Sequence, residues 1–142
     1  IVSYSDIYFY KSIIKKLKKY SSNKIILPIN SNWKSVWRKR GKNFFEDCES
    51  LKYDKNLLLK EIGNKIKSTS NVMGQYMGII YFPKKIKKEI IKNCKNKLSN
   101  KKIHITRFLN ELIKKKFKIK CLPCRSEWFE FDDIQDVKNF KI

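Results

Sequence analysis

The chain has 142 residues, of which 42% are hydrophobic, and a formal net charge of +21. This length and apolar content allow a single compact domain whose core needs no disulfides. Lysines interrupt every apolar run before it reaches the roughly 18 residues of a membrane helix or a secretory signal. A cytoplasmic protein with no membrane partner is therefore expected.

The positive charge is almost entirely lysine, since arginine occurs only at Arg38, Arg40, Arg107 and Arg125. A basic nucleic-acid-binding domain is one interpretation of such a composition. Base and phosphate recognition usually relies on the arginine fork, however, and these lysines are spread over the whole length. We expect solvated faces and no nucleic-acid partner, and we keep nucleic-acid binding as the alternative.

Four cysteines raise the question of a metal or redox site. Cys121 and Cys124 have the two-residue spacing of zinc ligands, but Cys48 and Cys94 stand alone and His104 is the single histidine. A redox pair normally lies at the start of a helix, whereas Cys121 and Cys124 lie in an apolar, strand-like run. Reduced structural thiols are therefore favoured over zinc or redox chemistry.

The first elements in chain order form a strand, a helix and a strand. Residues 1–5 read as a buried strand, and an apolar strand at the very start of a chain suggests that a further segment precedes it. Asp6 ends the strand, and the spacing of Ile7, Tyr10, Ile13, Ile14 and Leu17 predicts a helix that begins there. Residues 24–29 have the continuous apolar run of a buried parallel strand, with Pro28 placing its end near the rim of the sheet.

The remaining elements suggest an antiparallel insert followed by helices and closing strands. In residues 30–45, Trp33 and Trp37 share one helical face. Strands are predicted at 48–53, 57–62 and 72–82, helices at 84–98 and 106–116, strands at 117–122 and 128–131, and a last helix after Asp132 and Asp133.

Acidic side chains follow two distant apolar strands: Asp6 after the first, and Glu130, Asp132 and Asp133 after the last. Open α/β sheets bind ligands at the carboxyl ends of their strands. Converging carboxylates form a hard-oxygen site that suits Mg²⁺ and its retained waters. An aspartate at the start of a helix is also a common cap, so both interpretations remain open.

The chain resembles bacterial nucleotidyltransferases in an ordered set of segments. Ser5-Asp6-Ile7 comes early and Trp128-Phe129-Glu130-Phe131-Asp132 closes the set. The segments are residues 3–7, 32–40, 47–51, 61–63, 74–78 and 128–136. The set is similar to the later part of phosphocholine and 2-aminoethylphosphonate cytidylyltransferases, within the sugar-phosphate nucleotidyltransferase superfamily. The resemblance implies an α/β fold over residues 1–142: a Rossmann-like nucleotidyltransferase sheet with helices on both faces, truncated at the amino terminus, with a small antiparallel insert.

The resemblance also implies a reaction and a site. Asp6 and Asp132 would hold a catalytic Mg²⁺, while a nucleoside monophosphate, with CTP the favoured donor, passes to a small phosphorylated or phosphonate substrate and pyrophosphate leaves. For substrate binding, Glu130 would either neutralise a cationic head group or cap a helix. Trp33, Trp37 and Trp128 would either enclose an ammonium group or pack in the core. Arg38, like Arg40, would either clamp phosphate or face solvent.

Two features depart from the family pattern. The glycine-rich loop that cradles the nucleotide is absent from these residues, so the isolated chain is expected to be inactive. Asn30 stands where relatives often carry an aspartate. A homodimer and a noncatalytic scaffold that has kept the fold are left open.

Overall fold

The computed structural model describes residues 1–20, 23–40, 46, 48–95, 103–125 and 128–140, with only the backbone at 93–95. The strands are β1 Val2–Ser3, β2 Ile7–Phe9, β3 Ile25–Asn30, β4 Glu49–Tyr53, β5 Leu59–Lys65, β6 Gln75–Tyr76, β7 Ile79–Ile80, β8 Ile119–Cys124 and β9 Trp128–Glu130. The α-helices are α1 Lys11–Lys19, α2 Trp33–Arg40, α3 Lys87–Lys95, α4 Ile105–Lys114 and α5 Ile134–Asn139, with 3-10 turns at Thr69–Asn71 and Lys84–Ile86. No helix in these ranges is long and apolar enough to cross a membrane.

A mixed sheet forms the centre of the fold. β3 and β8 pair in parallel from Ile25 opposite Ile119 to Asn30 opposite Cys124. The segment that carries β6 and β7 runs antiparallel to β3 on one side and to β1 on the other. Since two antiparallel pairings separate β1 from β3, the strands β1, β3 and β8 all point the same way. Their carboxyl ends, and hence the chain after β1 that contains Asp6, lie at one edge of the sheet.

Helices cover both faces of this sheet, because alternate residues of each buried strand point to opposite sides. On one face, Ile13 and Leu17 of α1 and the tryptophans of α2 pack with Ile26 and Leu122. On the other face, Leu109 and Leu112 of α4 pack with Ile25, Leu27 and Ile119. The fold class is α/β with helices on both faces, as the sequence predicted.

The small antiparallel insert is present, although its third predicted strand lies elsewhere. β4 and β5 pair antiparallel, with Leu51 opposite Ile62. The run predicted as one strand at 72–82 divides into β6 and β7, and both join the central sheet instead of the insert. The division falls at Gly78, which adopts a left-handed backbone with φ of 72°.

The predicted helix after Asp6 begins later than expected. Residues Ile7–Phe9 form β2, which pairs antiparallel with β9, and α1 begins at Lys11. Isoleucine, tyrosine and phenylalanine favour strands, and their pairing with Trp128–Glu130 overrides the helical spacing. Asp6 therefore caps no helix. The next strand agrees closely with its prediction, since β3 spans Ile25–Asn30 where a strand was expected at 24–29.

Gly78→Ala is expected to destabilise the protein by about 1–3 kcal/mol, because a side chain strains a left-handed backbone. The added Cβ would also lie 2.9 Å from Cδ2 of Tyr4. Urea denaturation measures the change. Gly74→Ala is the control, since Gly74 has no positive φ and its nearest neighbours would lie at 3.2 Å. An equal or larger loss in Gly74→Ala would contradict the argument.

Candidate active site at the carboxyl edge of the sheet

The backbone segments that carry the two aspartates predicted as metal ligands meet at the end of the β2–β9 ladder. Ile7 is opposite Glu130, and the next rung is a hydrogen bond of 2.9 Å donated by the Phe131 amide to the Asp6 carbonyl. Asp132 is the residue directly after that rung. Both aspartates are exposed, so a ligand from solution can reach them. Residues from the two ends of the chain thus meet at the edge where open α/β sheets bind ligands.

Asp133, and not Asp132, caps the last helix. The Asp133 carboxylate accepts hydrogen bonds from the amides of Gln135 and Asp136. Asp132 instead forms an ion pair with Nη2 of Arg40. The capping alternative therefore applies to neither Asp6 nor Asp132.

A buried arginine organises the acidic residues of the closing motif. Arg40 is 1% exposed, and its Nε and Nη2 donate to the two carboxylate oxygens of Asp136 at 2.9 and 3.0 Å. Its Nη1 lies 3.7 Å from Oε2 of Glu130, and its guanidinium lies 5.1 Å from the ring centre of Trp37. The Asp132 amide donates to Asp136 at 3.0 Å. One guanidinium therefore joins α2 to three carboxylates of residues 130–136.

Arg38 differs from Arg40 in position and surroundings. It is exposed on α2, as the solvent-facing alternative describes. Sequence reasoning gave both arginines the same two alternatives, a phosphate clamp or a solvent-facing side chain, and did not foresee the burial of Arg40. The available signal was the stretch 126–137, which contains five acids, Glu130, Asp132 and Asp136 among them, and no lysine or arginine.

Two tyrosines, also missed from sequence, stand among these carboxylates. The rings of Tyr4 and Tyr76 meet edge to face at 5.6 Å. Burial, followed by the charges of Glu130, Glu49 and Asp6, raises the pKa of Tyr4 to about 12. Burial, then Tyr4 and Glu130, raises the pKa of Tyr76 as well. Both phenols therefore stay protonated at neutral pH and can donate hydrogen bonds. Their surroundings are acidic, although the chain as a whole is strongly basic.

The three tryptophans form one cluster, and it lies in the core. Trp33, Trp37 and Trp128 are each at most 3% exposed. The rings of Trp37 and Trp128 stack at 5.8 Å, and Trp33 meets Trp37 edge to face at 6.3 Å. The Trp128 indole donates to the Met77 carbonyl at 3.0 Å. The core-packing interpretation thus describes Trp33 and Trp37, since almost none of their surface is open to a ligand.

Trp128 also borders a cavity of about 280 Å³ between α2, α5 and the carboxyl ends of β3 and β8. Asn30 lies in its wall, with its side-chain oxygen accepting from the Asn32 amide at 2.7 Å. Asp6 and Asp132 do not line this cavity, so it is separate from the pair of aspartates.

The described cysteines are placed as structural thiols. Cys48, Cys121 and Cys124 are buried and unpaired by disulfides, and burial raises the pKa of Cys121 to about 12. Cys121 and Cys124 belong to the core clusters on opposite faces of the sheet. They cannot ligate one metal ion together, because residues three apart on a strand point to opposite sides. The side chain of Cys94 lies outside the described residues.

Known proteins resemble the chain in sequence and in fold. Over 97% of its length the chain is 26% identical to the CTP:phosphoglutamine cytidylyltransferase of Campylobacter jejuni subsp. jejuni serotype O:2, of which it spans 57%. The inositol-1-phosphate CTP transferase from T. maritima superposes with a TM-score of 0.66 at 15% identity, over 92% of this chain and 48% of that one. The fold is that of a nucleotidyltransferase. No protein-family model matches the chain.

The resemblance to bacterial cytidylyltransferase-like nucleotidyltransferases is thus confirmed by a sequence relative and by the fold. The chain spans a little over half the length of the curated relative it matches. In the described part of this nucleotidyltransferase fold, no group of three or more His, Cys, Asp or Glu side chains is arranged to hold a metal ion. A two-carboxylate site remains compatible with Mg²⁺, which is usually bound by one or two carboxylates together with substrate phosphates and water.

Proposed function

We propose that these residues form the metal and acceptor side of a cytidylyltransferase. In the reaction, a phosphate or phosphonate oxygen of a small acceptor attacks the α-phosphorus of CTP. The new P–O bond forms as the bond to the β-phosphate oxygen breaks, so that the acceptor gains CMP and pyrophosphate leaves. The observation that carries the proposal is the hydrogen bond from the Phe131 amide to the Asp6 carbonyl, which brings Asp6 next to the segment that contains Asp132.

Asp6 and Asp132 are proposed as the ligands of Mg²⁺. The donor chemistry fits, because both are carboxylates at an exposed edge of the sheet, and the side chain of Asp132 is 41% exposed. A bound Mg²⁺ would neutralise phosphate charge and orient the reacting groups. The two aspartates would hold and orient the Mg²⁺ ion, and neither needs to exchange a proton.

Glu130, Tyr4 and Tyr76 are proposed to face the acceptor. The rings of Tyr4 and Tyr76 are in contact, and the charge of Glu130 raises the pKa of both tyrosines, which supports a common location for the three side chains. The Glu130 carboxylate suits an acceptor with a cationic group, while the protonated phenols can donate to its oxygens. Of the original substrate-binding candidates, Glu130 is retained here, whereas Trp128, which stacks on Trp37, belongs to the core.

CTP as the donor is supported by the names of both related proteins, one a CTP:phosphoglutamine cytidylyltransferase and the other an inositol-1-phosphate CTP transferase. Their acceptors differ, so we propose only the class of small phosphorylated or phosphonate acceptor. Binding of the nucleotide by a glycine-rich loop is assigned to sequence outside these 142 residues.

The test is a pyrophosphate-release assay on the complete gene product with Mg²⁺, each of four nucleoside triphosphates and a panel of acceptors. The panel is phosphoglutamine, phosphocholine, 2-aminoethylphosphonate and sugar 1-phosphates. We expect release with CTP and one acceptor class, and loss of release on chelation of the metal. No release with any pair, together with tight, steeply salt-dependent binding of nucleic acid, would favour the nucleic-acid-binding alternative. Absence of both pyrophosphate release and nucleic-acid binding would favour a noncatalytic scaffold.

A further inference from the structure

We infer that Arg40 is the positioning residue of the metal site: it holds the carboxylate of Asp132 in the orientation that binds the ion. This inference rests on the proposed function. Arg40 touches neither substrate nor metal in this scheme and acts through Asp132.

The guanidinium of Arg40 is itself fixed in place. Asp136, which is 0% exposed, receives two of its N–H groups, so the pair is bidentate and planar. Arg40 also packs over Trp37, and the Asn139 side-chain amide donates to the Arg40 carbonyl at 3.0 Å. A bidentate contact fixes direction as well as distance. The position of Nη2 is therefore set by the core, not by solvent.

Nη2 of Arg40 in turn restrains the side chain of Asp132. It donates to Oδ2 of Asp132 while it also donates to Asp136. The Asp132 backbone amide is tied to the same Asp136 carboxylate. Asp132 is thus held at its amide and at its side chain by one buried pair, even though its own side chain is largely exposed.

Such an arrangement suits a metal ligand better than a purely structural ion pair. A surface carboxylate paired with a cation contributes little to stability. By contrast, hydrogen bonds from a neighbouring residue to a ligating carboxylate orient it, and losing them typically costs 10- to 100-fold in metal affinity or activity. A carboxylate has two oxygens and about four acceptor positions, so pairing with arginine and metal binding are compatible.

Arg40→Lys tests this inference because lysine keeps the positive charge but cannot reproduce the planar fork. We measure Mn²⁺ binding by electron paramagnetic resonance in the complete gene product, with folding followed by circular dichroism. The affinity is expected to fall about 10- to 100-fold. Arg107→Lys is the control: it makes the same substitution at an exposed arginine on α4 and is expected to leave Mn²⁺ affinity unchanged.

Wild-type Mn²⁺ affinity in a folded Arg40→Lys protein would overturn the inference, and so would an equal loss in Arg107→Lys. If Arg40→Lys does not fold, Asp136→Asn serves instead. It keeps Arg40 but loosens the guanidinium, and a smaller loss of affinity is expected; unchanged affinity would again overturn the inference. Asp132→Asn separates this inference from the proposed function. If both Asp132→Asn and Arg40→Lys bind Mn²⁺ with wild-type affinity, the proposed metal site is wrong. If Asp132→Asn loses affinity and Arg40→Lys does not, only the positioning role is wrong.

Discussion

Asp6→Asn is expected to lower cytidylyl transfer by the complete gene product on the order of 100-fold or more, with no loss of stability. A metal ligand contributes several kcal/mol of transition-state stabilisation, and each ~1.4 kcal/mol corresponds to a tenfold change in rate. Asparagine has the same shape but lacks the charge that attracts Mg²⁺. The measurement is the steady-state rate of pyrophosphate release at saturating substrates.

Asp6 suits this test because its side chain is exposed and caps no helix, so its replacement should leave the fold intact. The free energy of unfolding should therefore change by no more than about 0.5 kcal/mol. Glu89→Gln is the matched control, since Glu89 is also an exposed acid but lies on α3, in another part of the fold. Full activity in a folded Asp6→Asn protein would refute the proposed metal site.

Arg40→Met is expected to lower the free energy of unfolding by about 3–5 kcal/mol. Methionine fills much of the space but leaves Asp136, which is fully buried, without its bidentate partner. Breaking a buried ion pair by removing one member costs this much because the remaining charge stays in a poorly solvated site. The loss is a large part of the 5–15 kcal/mol that stabilises a typical domain.

Urea denaturation at neutral pH measures the effect as a lower midpoint with an unchanged slope. Arg38→Met is the control, because the same substitution two residues away on the same helix removes an exposed arginine and should change stability by no more than about 0.5 kcal/mol. Equal effects of the two substitutions would show that the Arg40–Asp136 pair contributes little to folding.

Local patterns predicted most of the elements. The apolar run that became β3 and the helical spacing of α4 were read correctly, since burial on a strand or helix leaves a periodic signal in adjacent residues. The start of α1 was wrong because Ile7 and Tyr10 fit a helical period as well as a strand. The third strand of the insert was wrong because its pairing with β1 and β3 depends on residues distant in sequence.

The position of Asp6 beside the closing motif was predicted, whereas the roles of these residues stay predictions. The meeting of Asp6 with the closing motif was expected from strand ends and from family resemblance, and the ladder brings the two segments together. Glu130 was named with two roles, and the structure adds a third, a contact with Arg40. Tyr4, Tyr76 and Asp136 were not singled out, because a tyrosine or a helix-start aspartate carries no distinctive pattern on its own.

The sequence by itself determined the fold class, most of the elements and the two aspartates at strand ends, since these follow from local periodicity and from the order of the motifs. The tertiary structure alone decided which charges are buried together and which rings are closed to solvent. Burial of Arg40 with Asp136 and of Trp33 with Trp37 depends on desolvation and charge compensation between distant segments. The energies of desolvation and charge compensation arise only when distant segments come into contact, so they cannot be read from the order of residues along the chain.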